Sequence, residues 1–266
     1  MSTEQNKALP QKGDYVRANG LNIYYEMYGV GEPLILLHGG TLTSRMWEPL
    51  IPAFAQHFQV IALDSRGHGK TDNPTQEFSY RAMADDLAAF IQALGLIRPF
   101  ICGFSNGGEI ALQIGMRYPD LAGALVISGA WYRFSESYLN NWKDWFEGPG
   151  VVNVEYIKRE KPELVSMWGE WHAPRSADYW QTLLSQLSTE WLAPLGYTAQ
   201  DLSKVVVPTL ILVGDRDPLI PVEEAVEMYR LIGQAELAIG PNINHAFPEL
   251  FTQLAVDFFL RHRPSP

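Results

Sequence analysis

Cysteine is almost missing from this chain. Cys102 is the only one in 266 residues, so no internal disulfide can form and no cysteine-based metal site can be built. Long apolar runs are missing too. None reaches the roughly 18 residues needed to cross a bilayer, so no membrane partner is expected. Positive charge is scarce, with 20 lysines and arginines against 30 acids and a net charge of −10. That balance argues against a nucleic-acid partner, which calls for a basic face. Met1 to Gly13 is polar and lacks the basic-then-apolar pattern of a secretory signal. Residues 1–13 are expected to form a flexible N-terminal segment, and a cytoplasmic setting is the default expectation. Internal repeats and low-complexity stretches are absent as well. What the chain does have is core. Its hydrophobic fraction of 47% suits one large globular domain, or a domain with an insertion.

The apolar residues are grouped in a rhythm. Val16 to Tyr28, broken at Asn19-Gly20, reads as a β-hairpin. Short continuous apolar runs at 34–37, 60–63, 99–102 and 124–127 read as strands buried on both faces. Helical patterns fall between them at Ser44 to Phe58, at Ser79 to Leu94 with Ser79 as N-cap and Gly95 as stop, and after residue 107. The rhythm stops at Trp131. From there to about Asp201 the spacing predicts short helices only, at 135–147, 162–171 and 176–187. It resumes with strands at 208–213 and 236–239 and helices at 222–231 and 248–261. Alternating strands and helices specify a mostly parallel sheet covered on both faces. The division expected is a core of residues 14–130 and 203–266, with 131–202 inserted as a helical cap.

Gly103-Phe104-Ser105-Asn106-Gly107 carries the chemistry. It joins a buried strand to a helix. A serine on so sharp a turn is a nucleophile elbow of the G-x-S-x-G type, with its hydroxyl raised and the helix amides aimed at whatever it attacks. Gly103 and Gly107 lack the side chains that would collide across the turn, and Ser105 is expected in a strained backbone region. An alkyl hydroxyl needs a base, and the base needs an orienting acid. The next strand end bearing acids is Gly214-Asp215-Arg216-Asp217. The strand after it is followed by Asn244-His245. Each group sits just past the C-terminal end of a strand, where parallel sheets place their sites. The other histidines receive plainer roles: His38 and His68 lie in loop motifs, His57 ends a helix, and His172 and His262 fall in the insertion and the tail.

The order Ser, Asp, His, together with Leu36-Leu37-His38-Gly39-Gly40 and Asp64-Ser65-Arg66-Gly67-His68-Gly69-Lys70-Thr71, resembles the α/β-hydrolase fold family from about Asp14 onward. The resemblance implies an eight-stranded, mostly parallel sheet flanked by helices, a helical cap, and no cofactor or metal. It implies Ser105 as nucleophile, His245 as base, and Asp217 as acid, three residues after Gly214, with Asp215 as the lesser candidate. It also implies an oxyanion hole from the backbone amides of Gly40 and Asn106, with Thr41 as the neighbouring alternative. Phe104 to Gly108 further resembles valacyclovir-hydrolase-like enzymes. They carry G-W-S-D-G-G, and their aspartate binds the substrate's ammonium. Asn106 is neutral, a departure that counts against amino-acid esters.

Seven of the eight tryptophans lie in the insertion. Most are expected to build the cap's own core, and a few to roof an apolar pocket. Trp131 and Trp142 are the first candidates, with Gly39, Thr41 and Phe247 as further pocket residues. The function expected is a cofactor-free serine hydrolase acting on a small to medium, largely apolar ester or lactone. Carbon–carbon bond hydrolase, perhydrolase, hydroxynitrile lyase and non-catalytic ligand receptor remain open as alternatives. No oligomeric state follows from the sequence.

Overall fold

A computed structural model describes residues 11–133 and 136–263. The chain opens with an antiparallel hairpin, β1 (Gln11–Ala18) and β2 (Leu21–Tyr28), turned at Asn19-Gly20 as predicted. β3 (Pro33–Leu37), α1 (Ile51–Ala55), β4 (Gln59–Leu63), α2 (Tyr80–Ala93), β5 (Phe100–Phe104), α3 (Asn106–Arg117) and β6 (Leu125–Ser128) follow. The inserted segment comes next, with α4 (Glu136–Trp142), β7 (Phe146–Gly148), β8 (Val151–Val152), α5 (Val154–Glu160), α6 (Pro162–Trp171), α7 (Tyr179–Trp191) and α8 (Ala199–Leu202). β9 (Thr209–Gly214), α9 (Val222–Leu231), β10 (Ala235–Gly240) and α10 (Glu249–Arg261) complete the fold.

Among the described residues the main sheet has eight strands in the order β1-β2-β4-β3-β5-β6-β9-β10. β2 pairs antiparallel with β1 and β4, and every other pairing is parallel. Side chains alternate across it with the period of two that a strand dictates. Ile35, Leu37, Ile61, Ile101 and Ile127 join α2, α3 and the inserted segment in one core layer. Leu34, Leu36, Val60, Cys102 and Val126 join α1 and α10 in the other. Burial on both faces accounts for the unbroken apolar runs, and it pushes the Cys102 thiol well above its ordinary pKa.

Several local expectations need correction. Residues 1–10 lie outside the described residues, and β1 begins at Gln11, inside the segment expected to be flexible. Ser44 to Phe58 is not one helix. A 3-10 turn at Ser44–Trp47, capped by Thr43, is followed by α1, because Pro52 lacks an amide hydrogen and fits only a first helical turn. The expected helix at 135–147 starts outside the described residues and ends at Trp142. Past it the chain forms the β7–β8 hairpin, turned at Pro149-Gly150, with Gly150 at φ +82°. α5 was not expected; Asn153 caps it by accepting a hydrogen bond from the Tyr156 amide. α7 is displaced toward the C-terminus and runs on to Trp191.

Candidate active site

β5 delivers the chain to Ser105, which has φ +54° and ψ −118°. A serine in that region is strained, so its neighbours must hold it. The Ser105 amide donates to the carbonyl of Ser128 at the end of β6, at 2.8 Å, and the Glu109 amide donates to the Ser105 carbonyl at 3.0 Å. The flanking glycines are dictated by contact. A Cβ on Gly103 would lie 2.0 Å from the Gly107 carbonyl oxygen, and one on Gly107 would lie 2.2 Å from the Leu37 carbonyl oxygen.

Two loops bring groups to Ser105 from the far end of the sheet. His245, beyond β10, has Nε2 at 3.0 Å from Ser105 Oγ. Its Nδ1 lies 2.8 Å from Asp217 Oδ2. Asp217 follows β9, and its other oxygen accepts the amides of Leu219 and Ile220 at 2.8 and 3.0 Å. Its side chain is 2% exposed, whereas that of Asp215 is 34% exposed and among the described residues reaches only Arg216, at 3.8 Å. The buried aspartate is therefore the one joined to His245.

A cavity of about 200 Å³ opens above Ser105. Gly39, Gly40, Thr41, Asn106, Trp131 and Trp142 line it, as does His245. Among the described residues no backbone or side-chain acceptor takes the amide hydrogens of Gly40 or Asn106. Phe247 does not line it, contrary to expectation. Past His245 the chain turns down toward α10, and the Phe247 ring packs on Trp47, Phe104 and Phe251 at centroid distances of 5.0, 6.4 and 6.0 Å. It belongs to the core layer shared with α1.

Several buried ionisable groups near the site are shifted away from their charged forms. Burial pulls the His38, His68 and His172 imidazoles below their usual range, His172 to about 4. Burial pushes the Glu109 carboxyl well above its usual range, with Glu224 and Glu190 adding to the effect. Glu109 Oε1 accepts the Trp131 amide at 2.7 Å, which fixes the chain where it leaves β6 for the inserted segment. Among the described residues no group of histidines, cysteines and acids is arranged to hold a metal ion.

Known proteins share this architecture. A family described as alpha/beta hydrolase fold matches residues 32–149. The 2-hydroxy-6-oxo-6-(2'-aminophenyl)hexa-2,4-dienoic acid hydrolase of Metapseudomonas resinovorans is 28% identical over 264 residues, 93% of this chain and 90% of its own. Serine hydrolase BPHL of Homo sapiens is 27% identical over 255 residues, 91% of this chain and 84% of its own. A solved serine hydrolase involved in carbazole degradation, CarC, superposes with a TM-score of 0.75 at 27% identity, over 94% of this chain and 98% of its own. The chain has the α/β-hydrolase fold.

On this α/β-hydrolase scaffold, three residues gain parts that the sequence reading did not give them. Trp191 lines the cavity and donates its indole N–H to the Asn106 side-chain oxygen at 3.0 Å. Its signal was present, since Trp180, Leu183, Leu184, Leu187 and Trp191 form one buried helical stripe. Tyr80, at the start of α2, has its hydroxyl 3.1 Å from the same oxygen. His172, just past α6, reaches the loop after β3. No sequence pattern marks either of these last two. Among the described residues no helix is long and apolar enough to cross a membrane.

Proposed function

We propose that the protein is a cofactor-free serine hydrolase cleaving carboxylic ester or lactone bonds. The observation that carries this reading is His245 bridging Ser105 Oγ at 3.0 Å and Asp217 at 2.8 Å. His245 takes the Ser105 proton as the hydroxyl attacks the scissile carbonyl. Asp217 holds the imidazole with its proton on Nδ1 and stabilises the imidazolium that forms. The amides of Gly40 and Asn106 receive the developing oxyanion beside the tryptophans that line the cavity, an apolar surround in which such donors count most. His245 then protonates the leaving group, and water repeats the sequence on the acyl-enzyme.

Residues 131–202 act as a cap whose tryptophans roof the cavity, which favours an apolar, uncharged acyl group. The name of the Metapseudomonas relative raises a carbon–carbon bond hydrolase acting on a dienoic acid. A carboxylate in this cavity would be costly, because among the described residues no lysine or arginine lines it. Initial rates on p-nitrophenyl esters, on simple lactones and on a vinylogous 1,5-diketone acid test the reading. Turnover of esters or lactones well above that of the acid is expected. Preference for the acid would overturn it.

A further inference from the structure

Glu109 joins the turn that carries the nucleophile to the roof of the cavity. It lies in the first turn of α3 and is fully buried. Its amide donates to the Ser105 carbonyl at 3.0 Å, and its Oε1 accepts the Trp131 amide at 2.7 Å. Trp131 lines the cavity, with its ring 5.0 Å from that of Tyr138 and 6.0 Å from that of Tyr80. The chain has left the sheet by this point. The Gly129 amide still reaches the Leu212 carbonyl, at 3.0 Å. Beyond it, among the described residues, the amides of Trp131 and Arg133 find acceptors only in side chains of the core, Glu109 of α3 and Glu224 of α9, the latter at 3.2 Å. The charged groups that bear on Glu109 are Glu224 and Glu190, both acids, so its carboxyl is held uncharged. Its Oε2 has no partner among the described residues. Burying an acid on these terms costs stability. Packing alone does not call for it, since a methionine fills much the same space.

We propose that Glu109 is a positioning residue that fixes Trp131, and with it the wall of the cavity that receives the acyl chain, at a set distance from Ser105. It touches no substrate and acts through Trp131. The inference rests on the serine-hydrolase reading above. A roof ring selects chain length only if its distance from the reacting carbonyl is fixed. Glu109 fixes it by bonding the backbone of the nucleophile and the backbone of the roof residue at once. Without Glu109 the Trp131 amide is left buried and unpaired, a cost that the chain relieves by shifting. The ring then moves with its backbone. What the arrangement needs is the acceptor oxygen and not a charge. A glutamine offers the same oxygen on a side chain of the same length, and a methionine offers the bulk without it.

The test is the ratio of kcat/KM on p-nitrophenyl hexanoate to that on p-nitrophenyl acetate, with active sites titrated. Glu109→Met is expected to lower this ratio by roughly 4- to 15-fold, the worth of one or two buried methylenes. Glu109→Gln should keep the wild-type ratio. Trp131→Ala should lower the ratio at least as far as Glu109→Met does. The double variant should go no further than Trp131→Ala alone, because Glu109 acts through that ring. An equal loss on both esters in Glu109→Met, a glutamine variant as altered as the methionine one, or additive effects in the double variant would overturn the proposal and leave Glu109 a structural residue. If Glu109→Met does not fold, Glu109→Asp replaces it. That change keeps the acid but withdraws it by one methylene, so the ratio should fall, and an unchanged ratio overturns the proposal. In the wild type the Trp131 amide should exchange with deuterium far more slowly than an open amide; exchange at the open rate overturns the contact. If the wild type cleaves neither ester, the hydrolase reading fails. The positioning role is then read from binding of hexanamide, followed by tryptophan fluorescence. Glu109→Met should weaken that binding and Glu109→Gln should not, and equal affinities in all three proteins overturn it.

Discussion

His172 holds the carbonyl of Thr41. Its Nε2 donates to that oxygen at 3.0 Å, while its Nδ1 accepts the amide of Gly69 at 2.9 Å. Thr41 has φ +60°, an uncomfortable region for a β-branched residue, and it directly follows Gly40. One imidazole from the inserted segment thus ties together the two loops after β3 and β4. His38, His68, Asp64 and Arg175 surround it electrostatically, and Arg175 also donates to the Thr71 carbonyl.

The tie requires a neutral ring, because Nδ1 must accept. Burial lowers the His172 pKa from 6.5 to about 4. The unfolded chain therefore binds this proton more tightly than the folded one does. Stability should rise with pH between about 4 and 6.5 and be lost as pH falls through that window, by up to about 3 kcal/mol from His172. His38 and His68 are shifted the same way and add to the slope. Urea unfolding at pH 4.5, 5.5 and 7 checks this, and His172→Gln should flatten the profile.

Replacing His172 with Ala leaves the Thr41 carbonyl and the Gly69 amide buried without their partner. Each lost bond should cost about 1–3 kcal/mol. The melting temperature should fall by several degrees. If the loop after β3 supplies an oxyanion donor, kcat should fall with it while KM changes little. A normal kcat would separate this histidine from the loop's chemistry.

The two aspartates should differ sharply. Asp217→Asn should lower kcat on a model ester by roughly 10⁴, by offering His245 the wrong hydrogen-bonding partner. Asp215 is partly exposed and among the described residues holds only Arg216, so Asp215→Asn should cost less than about tenfold. The opposite ranking in steady-state kinetics would remove Asp217 from its proposed role.

Tryptophans of the inserted segment divide into roof and core. Trp142 lines the cavity and stacks on Trp191, with centroids 4.6 Å apart. Trp142→Ala should raise KM for medium acyl chains and flatten the chain-length preference, since each buried methylene contributes about 0.8 kcal/mol. Trp180 is 1% exposed, stacks on Trp168 and does not line the cavity. Trp180→Ala should destabilise the protein by about 3–5 kcal/mol and leave the preference unchanged. An acyl-chain series on both variants, with their melting curves, checks the division.

Legibility in the sequence followed the range of the interactions. All eight strands of the main sheet could be read, the hairpin from its Asn19-Gly20 turn and the central strands because burial on both faces leaves continuous apolar runs. Ser105, Asp217 and His245 could be marked because each lies shortly past the end of a strand that the pattern reveals. The inserted segment was read less well. Its short helices carry mixed stripes, and at Pro149-Gly150 the turn chemistry prevailed over the helical spacing assumed for the run. The contacts of Trp191 and His172 could not be read at all. Asn106 and Trp191 are 85 residues apart, and Thr41 and His172 are 131 apart. Only the folded chain brings them together. The orientation of the Asn106 amide, whose oxygen is held by Trp191 and Tyr80, depends on distant partners of this kind.

The central claim is that Ser105 is the nucleophile, activated by His245. Brief incubation with diethyl p-nitrophenyl phosphate, followed by intact-mass and peptide analysis, tests it most directly. The result expected is one diethylphosphoryl group per chain on Ser105, with stoichiometric release of nitrophenolate and loss of ester hydrolysis. Ser105→Ala should take up none, and its kcat should fall by roughly 10⁴ to 10⁶. A label on another residue, or a folded Ser105→Ala that still turns over esters, would contradict it.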